Sequence, residues 1–194
     1  MRTAEFDKVQ VLRSAMHVFM RYGYTQASMP KLTAATGLHP GSIYCAFKNK
    51  KGLLLAAINQ YQVDRLAQYK VLFADCVSLQ QALTRFLTDL VEECLATEAK
   101  QVCLLTKTLH EIGESEPEVQ AALQNHLHQF ETLITQQFLR HWPEGTALSR
   151  PDASNKARLF VVNVYGLRAY AATNPNPEIL QQLAQQLIHQ TVNP

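Results

Sequence analysis

The chain has 194 residues, of which 47% are hydrophobic and 18% charged, and its net charge at pH 7 is +2. This composition suits a globular protein of one or two domains and excludes a low-complexity or disordered chain. No apolar run approaches the ~20 residues of a membrane-spanning helix, and the first residues are polar and charged, unlike a signal peptide, so we expect a cytoplasmic protein without a membrane partner.

Apolar residues recur at steps of three and four along almost the whole chain, and glycine is scarce. Such spacing is typical of amphipathic helices and predicts an all-α protein. The predicted helices cover residues 9–24, 28–36, 40–47, 50–72, 79–95, 101–112, 117–141, 152–173 and 177–191. The segment between residues 142 and 151 contains two prolines and a glycine, and it is predicted to be a loop.

The segment from residue 28 to residue 53 has the spacing of a helix-turn-helix. Ser28 is a suitable N-cap for a first short helix, Gly37 can supply the left-handed turn, and Pro40 can begin a second short helix. Gly23 is expected to end the preceding helix with a left-handed cap. Four apolar residues are expected to pack the two short helices together: Leu32, Leu38, Ile43 and Phe47.

The charge distribution supports a nucleic-acid interface in this part of the chain. Residues 1–51 carry eight Lys or Arg and two acidic residues, a net charge of +6, whereas the rest of the chain has a net charge of −4. A basic N-terminal part can displace counterions from DNA phosphates. The second helix of a helix-turn-helix lies in the major groove. The candidate DNA-binding residues are therefore Ser28, Lys31, His39, Pro40, Gly41, Ser42, Tyr44, Cys45, Lys48 and Lys50.

The same segment resembles the N-terminal pattern of the TetR family of transcriptional regulators. The matching stretches are Gly23-Tyr24, Ser28-Met29, Leu32-Thr33, Thr36-Gly37-Leu38, Gly41-Ser42-Ile43-Tyr44, Phe47 and Lys50-Lys51-Gly52-Leu53. The chain departs from the pattern at Ala27, where a phosphate-binding Thr is common, and at Pro40, where a Lys is common. The resemblance implies a DNA-binding regulator rather than an enzyme.

The resemblance also implies that the remaining helices bind a small-molecule effector and form a homodimer through the last two helices. The residues expected to line the effector pocket are Phe86, Leu90, Cys103, Leu104, Phe130, Asn163 and Tyr165. The residues expected at the dimer interface are Leu159, Val162, Leu180, Leu183 and Leu187. The stripes on these last helices are equally compatible with an intramolecular core, and the family resemblance is what favours a dimer.

The four cysteines form no CxxC pair and have no patterned histidines nearby, so we expect no disulfide framework, no metal site and no cofactor. Cys103-Leu104-Leu105 resembles a Gly-Cys-Leu-Leu motif of one TetR branch that includes oxidant and electrophile sensors, although Val102 replaces the glycine. Cys103 is therefore either a sensing thiol or an inert core residue, and the apolar neighbours favour the core.

We expect a helix-turn-helix domain over residues 1–52 and a ligand-binding and dimerisation domain over residues 53–194. The leading hypothesis is a dimeric repressor that a small, mainly apolar effector releases from operator DNA. The alternatives are a thiol-based repressor that senses oxidants through Cys103, and a helical adaptor that binds a protein instead of DNA.

Overall fold

The computed structural model describes residues 6–96, 103–113, 115–142 and 148–192. These residues contain helices and no strand, as the sequence predicted. The helices are α1 (Lys8–Gln26), α2 (Met29–Thr36), α3 (Pro40–Phe47), α4 (Lys50–Phe73), α5 (Leu79–Leu95), α6 (Leu104–Thr108), α7 (Pro117–His141), α8 (Arg150–Thr173) and α9 (Pro177–Val192), and a π-helical segment (Leu109–Gly113) follows α6 directly.

The chain divides into two compact units that are not continuous in sequence. Unit 1 contains the described residues of 1–65 and 101–125, and unit 2 contains those of 66–100 and 126–194. The helices α4 and α7 each begin in unit 1 and end in unit 2. The boundary expected after residue 52 lies inside unit 1, because the first turns of α4 and the segment around α6 cluster with the N-terminal helices.

Unit 1 has a core of its own, built from the apolar stripe of α1 and the inward residues of the following helices. Leu32, Ile43 and Phe47 are buried, as predicted, whereas Leu38 is only partly buried against this core. Asn49 caps α4, since its side-chain oxygen accepts a hydrogen bond from the Gly52 amide at 2.8 Å. The core fixes α2 and α3 on α1 without using their outward side chains.

Unit 2 packs α9 and α8 against α5. An aromatic cluster of Tyr69, Phe86 and Phe130, with ring centroids 5.3–5.6 Å apart, lies in its core. Arg168 on α8 donates to the Glu93 carboxylate on α5 at 2.8 Å, and these side chains are 17% and 29% exposed. The partial burial strengthens this ion pair relative to one on the open surface.

The predicted helix over residues 101–112 is replaced by two shorter elements. Within the described residues, α6 covers Leu104–Thr108, and the chain then widens into the π-helical segment. Residues 101 and 102 lie outside the described part. Local π geometry of this kind is uncommon and frequently accompanies a functional contact.

The other helices agree closely with the sequence. The bounds of α5 and α7 are those predicted, and Ser78 caps α5 by accepting from the Gln81 amide at 3.2 Å. The helix α8 begins at Arg150, two residues earlier than expected, because Ser149 accepts from the Asp152 amide and caps it there. Within the part of the chain that the structure describes, no helix is long and apolar enough to cross a membrane.

Candidate nucleic-acid interface

The turn between α2 and α3 has the geometry that the sequence predicted. Gly37 ends α2 with φ 69° and ψ 7°, a left-handed conformation, and its amide donates to the Thr33 carbonyl at 2.9 Å. The helix α3 then begins at Pro40, which lacks the amide hydrogen that a helix leaves unpaired in its first turn. Ile43 and Phe47 anchor α3 in the core, so its opposite face is fixed toward solvent.

The exposed face of α3 carries most of the predicted DNA-binding residues. Tyr44 is 48% exposed, and Pro40, Gly41 and Cys45 are exposed as well. Ser42 is partly buried. His39, Ser28, Lys31 and Lys48 are also exposed. This is the composition that a recognition helix needs, because small and polar side chains let the helix N-terminus approach base edges and phosphates.

Gly41 has no packing reason inside the molecule. A Cβ built on Gly41 would meet no atom within 4 Å, and its φ is not positive. A glycine within a helix costs about 0.5–1 kcal/mol relative to alanine. The missing side chain thus leaves open space beside the first turn of α3.

Two of the predicted DNA-binding lysines, Lys31 and Lys50, are held in the same way. The Lys31 ammonium donates to the Gln26 carbonyl at 3.1 Å and lies 4.1 Å from the ring centroid of Tyr22. The Lys50 ammonium donates to the Tyr24 carbonyl at 2.8 Å and lies 4.3 Å from the ring centroid of the same tyrosine. The hydrogen bond to the Tyr24 carbonyl fixes Lys50 against the end of α1.

Lys48 follows α3 with a backbone conformation that is rare for a residue with a side chain. Its φ is 68° and its ψ is −49°, and its amide donates to the Tyr44 carbonyl at 2.9 Å, which closes α3. Apart from glycine, no other described residue has a positive φ. Conformations of this kind cost about 1–3 kcal/mol and are often retained at functional sites.

The end of α1 bends at Gly23 instead of stopping there. Gly23 has a positive φ of 75°, as expected, but its ψ of 172° is extended rather than left-handed, and helical structure resumes up to Gln26. The Glu111 carboxylate of the π-helical segment lies against the Gly23 Cα and accepts a hydrogen bond from the Thr25 amide at 3.0 Å. A Cβ at Gly23 would overlap this carboxylate.

A second contact from the same region holds the helix just before the bend. The Lys107 ammonium on α6 donates to the carbonyls of Met20 and Arg21, at 3.1 Å in each case. We call Lys107 and Glu111 together the α1 clamp. The clamp joins residues 86 or 87 positions apart in the chain, and no local sequence pattern indicates it.

A pair of ion pairs connects the first turn of α4 with the start of α7. Lys51 forms ion pairs with Glu116 at 3.1 Å and with Glu118 at 3.3 Å. The hydrogen bonds that the Lys51 ammonium donates to these carboxylates raise the pKa of Lys51. Lys51 is thus occupied within unit 1, and Lys50 beside it is the lysine directed toward Tyr24.

The structure does not bring the predicted effector residues together in one unit. Phe86, Leu90, Phe130 and Tyr165 belong to unit 2 and are buried or partly buried there. Cys103 and Leu104 are buried in the core of unit 1, where the Cys103 sulfur lies 3.8 Å from the Tyr61 hydroxyl. Asn163 was expected in the pocket, but it is exposed on α8 and donates to the Leu159 carbonyl at 2.8 Å.

The predicted dimer residues divide into an exposed group and a buried one. Leu159 and Val162 on α8 are 65% and 66% exposed, and Leu183 on α9 is 36% exposed. Leu187 is partly buried beside them and lines a surface groove of about 370 Å³ between α8 and α9. The expectation for Leu180 is wrong, because it is fully buried in the core of its own unit and has no surface left for a partner.

These features define a helix-turn-helix protein with an open recognition helix. The family described as "Bacterial regulatory proteins, tetR family" matches residues 11–57, from α1 into the first turns of α4. The chain is 25% identical over 144 residues to an uncharacterised HTH-type transcriptional regulator, YezE, of Bacillus subtilis, covering 74% of each chain. It is 22% identical over 143 residues to the HTH-type transcriptional repressor BdcR of Escherichia coli, covering 74% of this chain and 71% of BdcR.

A solved structure gives a match over nearly the full length. A cysteine mutant of the TetR family transcriptional regulator CifR, in complex with a 26-base-pair operator DNA, superposes with a TM-score of 0.83 at 25% identity, covering 97% of this chain and 98% of that one. The fold and the site thus define a DNA-binding transcriptional regulator and not an enzyme. Residues 11–57 thus match the TetR family, and the chain has the fold of a TetR family transcriptional regulator over nearly its full length.

Proposed function

We propose that the protein is a homodimeric repressor that binds a pseudopalindromic operator through α3 and leaves it when a small, mainly apolar effector binds. The observation that carries the DNA-binding part is the exposed face of α3, where Gly41 has no neighbour within 4 Å and Tyr44 is half exposed. The operator complex of the similar regulator CifR supports duplex DNA as the partner.

The role of α3 can be tested at Gly41. Gly41→Ala should leave the fold as stable as before or stabilise it by about 0.5–1 kcal/mol, because alanine favours the helix. The same variant should bind operator DNA more weakly, because the added methyl group stands between α3 and the groove. Urea unfolding and fluorescence anisotropy on one preparation measure both effects. An unchanged affinity of Gly41→Ala for operator DNA would show that this face of α3 does not contact the DNA.

The dimer is proposed to form through the outer face of α8 and α9. Exposed apolar side chains at Leu159, Val162 and Leu183 are costly on a monomer surface but suit helix-on-helix packing with a second copy. Val162→Glu should give monomers that lose operator binding. The matched control is Val71→Glu, since Val71 is 76% exposed and lies on α4. Sedimentation velocity distinguishes the two variants, and a dimeric Val162→Glu protein would refute the proposed face.

The effector is proposed to contact the aromatic cluster of unit 2, where Phe86 and Phe130 lie close to Leu90 in one core. The helix α4 passes from unit 1 into unit 2 and offers a covalent route for coupling. Coupling of this kind is typically ~1–3 kcal/mol, a 5–150-fold change in DNA affinity. Because coupling is reciprocal, operator DNA must weaken effector binding by the same factor. Calorimetry with and without DNA measures it, and equal affinities would exclude release.

Thiol sensing through Cys103 is less well supported, since this residue is only 9% exposed and lies against the Tyr61 hydroxyl. A reactive thiol requires access to the oxidant. If Cys103 nevertheless acts as a sensor, Cys103→Ser should abolish any oxidant-induced loss of DNA binding while leaving operator affinity intact. If an oxidant still releases Cys103→Ser from DNA, Cys103 is not the sensor and serves only in the core.

A further inference from the structure

We propose that two tyrosines position the lysines that bind DNA phosphates. The tyrosine pair is Tyr22 and Tyr24, which flank the bend at Gly23, and the lysine pair is Lys31 and Lys50. Each tyrosine ring, with a main-chain carbonyl of the same segment, holds one ammonium group in place. This inference rests on the proposed DNA-binding function, and it assigns that function to residues of α1 that lie outside α2 and α3.

The two arrangements share one geometry although the lysines come from different helices. Lys31 lies on α2 and reaches back to the Gln26 carbonyl and to the ring of Tyr22, and its ammonium is 4.1 Å from the ring centroid. Lys50 begins α4 and reaches back to the carbonyl and the ring of Tyr24, at 4.3 Å from the centroid. Both distances lie well within the ~6 Å over which a ring face attracts a cation.

An ammonium held in this way still has a donor to offer. Lysine has three N–H groups and no acceptor. One N–H is used by the carbonyl and one can be directed at the ring face, so the third remains for an external acceptor such as a phosphate oxygen. Neither member of the lysine pair forms a carboxylate ion pair within the described residues, whereas the neighbouring Lys51 forms two. The charge of the lysine pair therefore remains available.

The position of the tyrosine pair is itself fixed. The backbone turns at Gly23, and the Glu111 carboxylate both covers this glycine and accepts from the Thr25 amide. The Tyr24 ring stacks on Phe19 with centroids 6.3 Å apart, and burial raises the pKa of the Tyr24 hydroxyl. Tyr22 is partly buried, with the Arg21 guanidinium 5.3 Å from its ring. Holding a flexible lysine on a fixed surface lowers the entropy lost when it binds a phosphate.

Tyr22 and Tyr24 are both partly buried against the core of unit 1, and Tyr22 provides the sharper test because the Tyr24 ring also stacks on the buried Phe19. Tyr22→Leu should weaken binding to a duplex of mixed sequence by about two- to five-fold, the range expected for one exposed cation–π contact. Tyr22→Phe keeps the ring face and should bind like the native protein. The dependence of log Kd on log salt should not change in either variant, because Lys31 still reaches the phosphate. Lys31→Ala should flatten this slope by about one.

The decisive measurement is the double variant. If Tyr22 acts only by positioning Lys31, then Tyr22→Leu combined with Lys31→Ala should bind no more weakly than Lys31→Ala alone. Additive losses would assign Tyr22 a general structural role and overturn the inference, as would a Tyr22→Leu variant that binds with native affinity. A native slope and affinity for both Lys31→Ala and Lys50→Ala would refute the phosphate contacts themselves, and the inference with them.

Loss of folding in Tyr22→Leu can be separated from loss of positioning. A series of fluorinated phenylalanines at residue 22 keeps the shape of the ring and progressively weakens its attraction for cations. DNA affinity should fall stepwise with fluorine number toward the Tyr22→Leu value, while the thermal midpoint stays constant. Affinity independent of fluorination would overturn the inference.

Discussion

Replacing Gly23, at the bend of α1, with alanine should lower the free energy of unfolding for two separable reasons. The φ of 75° with ψ of 172° falls in a region that is essentially restricted to glycine, and imposing it on alanine costs about 1–3 kcal/mol. The added Cβ would also displace the Glu111 carboxylate, which then loses its hydrogen bond to the Thr25 amide. A hydrogen bond to a charged group is worth roughly 1.5–3 kcal/mol, with the lower end appropriate because this one is exposed.

Replacing glycine also restricts the unfolded chain, which offsets about 0.4–1 kcal/mol of the loss. The net destabilisation of Gly23→Ala should therefore be on the order of 2–3 kcal/mol. Gly37→Ala is the matched control. Its φ of 69° is also positive, but its conformation is left-handed helical and a Cβ there meets no atom within 4 Å. We expect this control to lose about 1 kcal/mol.

A double-mutant cycle with Glu111→Ala isolates the steric part. Without the carboxylate, Gly23→Ala should lose only the backbone strain, so the two substitutions should couple by about 1 kcal/mol. Gly37→Ala should not couple to Glu111→Ala at all. Urea unfolding followed by circular dichroism gives the four free energies of unfolding. The proposed geometry of the contact between α1 and the π-helical segment is refuted if Gly23→Ala lowers the free energy of unfolding no more than Gly37→Ala does and its effect does not change when Glu111 is replaced.

Three further predictions concern charge and strain. The hydrogen bond from Arg13 holds the pKa of Asp64 below its usual range. The stabilisation by the ionised Asp64 is therefore complete above the unfolded-state pKa and is lost as the pH falls through the folded-state pKa. In Asp64→Asn, the free energy of unfolding should fall less steeply with decreasing pH below about pH 4. Burial lowers the pKa of His141 from 6.5, so stability should fall as the pH drops below that value, and His141→Gln should reduce this fall in the same titration. Lys48→Gly should stabilise the fold by about 1 kcal/mol by relieving its positive φ yet weaken DNA binding, whereas Lys48→Ala should weaken binding without the gain in stability.

The sequence predicted best what local chemistry determines. The bounds of α5 and α7 follow from a capping serine at Ser78 and from Pro117, which is favoured in a first helical turn. The α2–α3 turn follows from Gly37, because only a residue that tolerates positive φ fits there. The exposure of α3 follows from the spacing of Ile43 and Phe47.

What the sequence could not predict depends on contacts between distant residues. Helical spacing indicates that Cys103 and Phe86 face inward, but it does not say that they enter the cores of different units. It also does not distinguish Leu180, buried beneath α9, from Leu183, which stays exposed one turn later. Asn163 is a case where spacing could have helped, since it lies four residues after the exposed Leu159 and so shares its face.

The α1 clamp gives these separate observations a physical connection. Glu111 and Lys107 hold the bend that carries the tyrosine pair, and the tyrosine pair holds the lysine pair, all within unit 1. The three hydrogen bonds of the clamp, two exposed and one partly buried, involve charged groups and together are worth a few kcal/mol, the same scale as the ~1–3 kcal/mol of typical allosteric coupling. A change in the π-helical segment that releases Glu111 could therefore alter DNA affinity by a regulatory amount without unfolding α2 or α3. The Glu111→Ala variant tests this directly. It should bind mixed-sequence DNA more weakly, with an unchanged dependence of log Kd on log salt. If Glu111→Ala binds with native affinity, the clamp contributes only to stability.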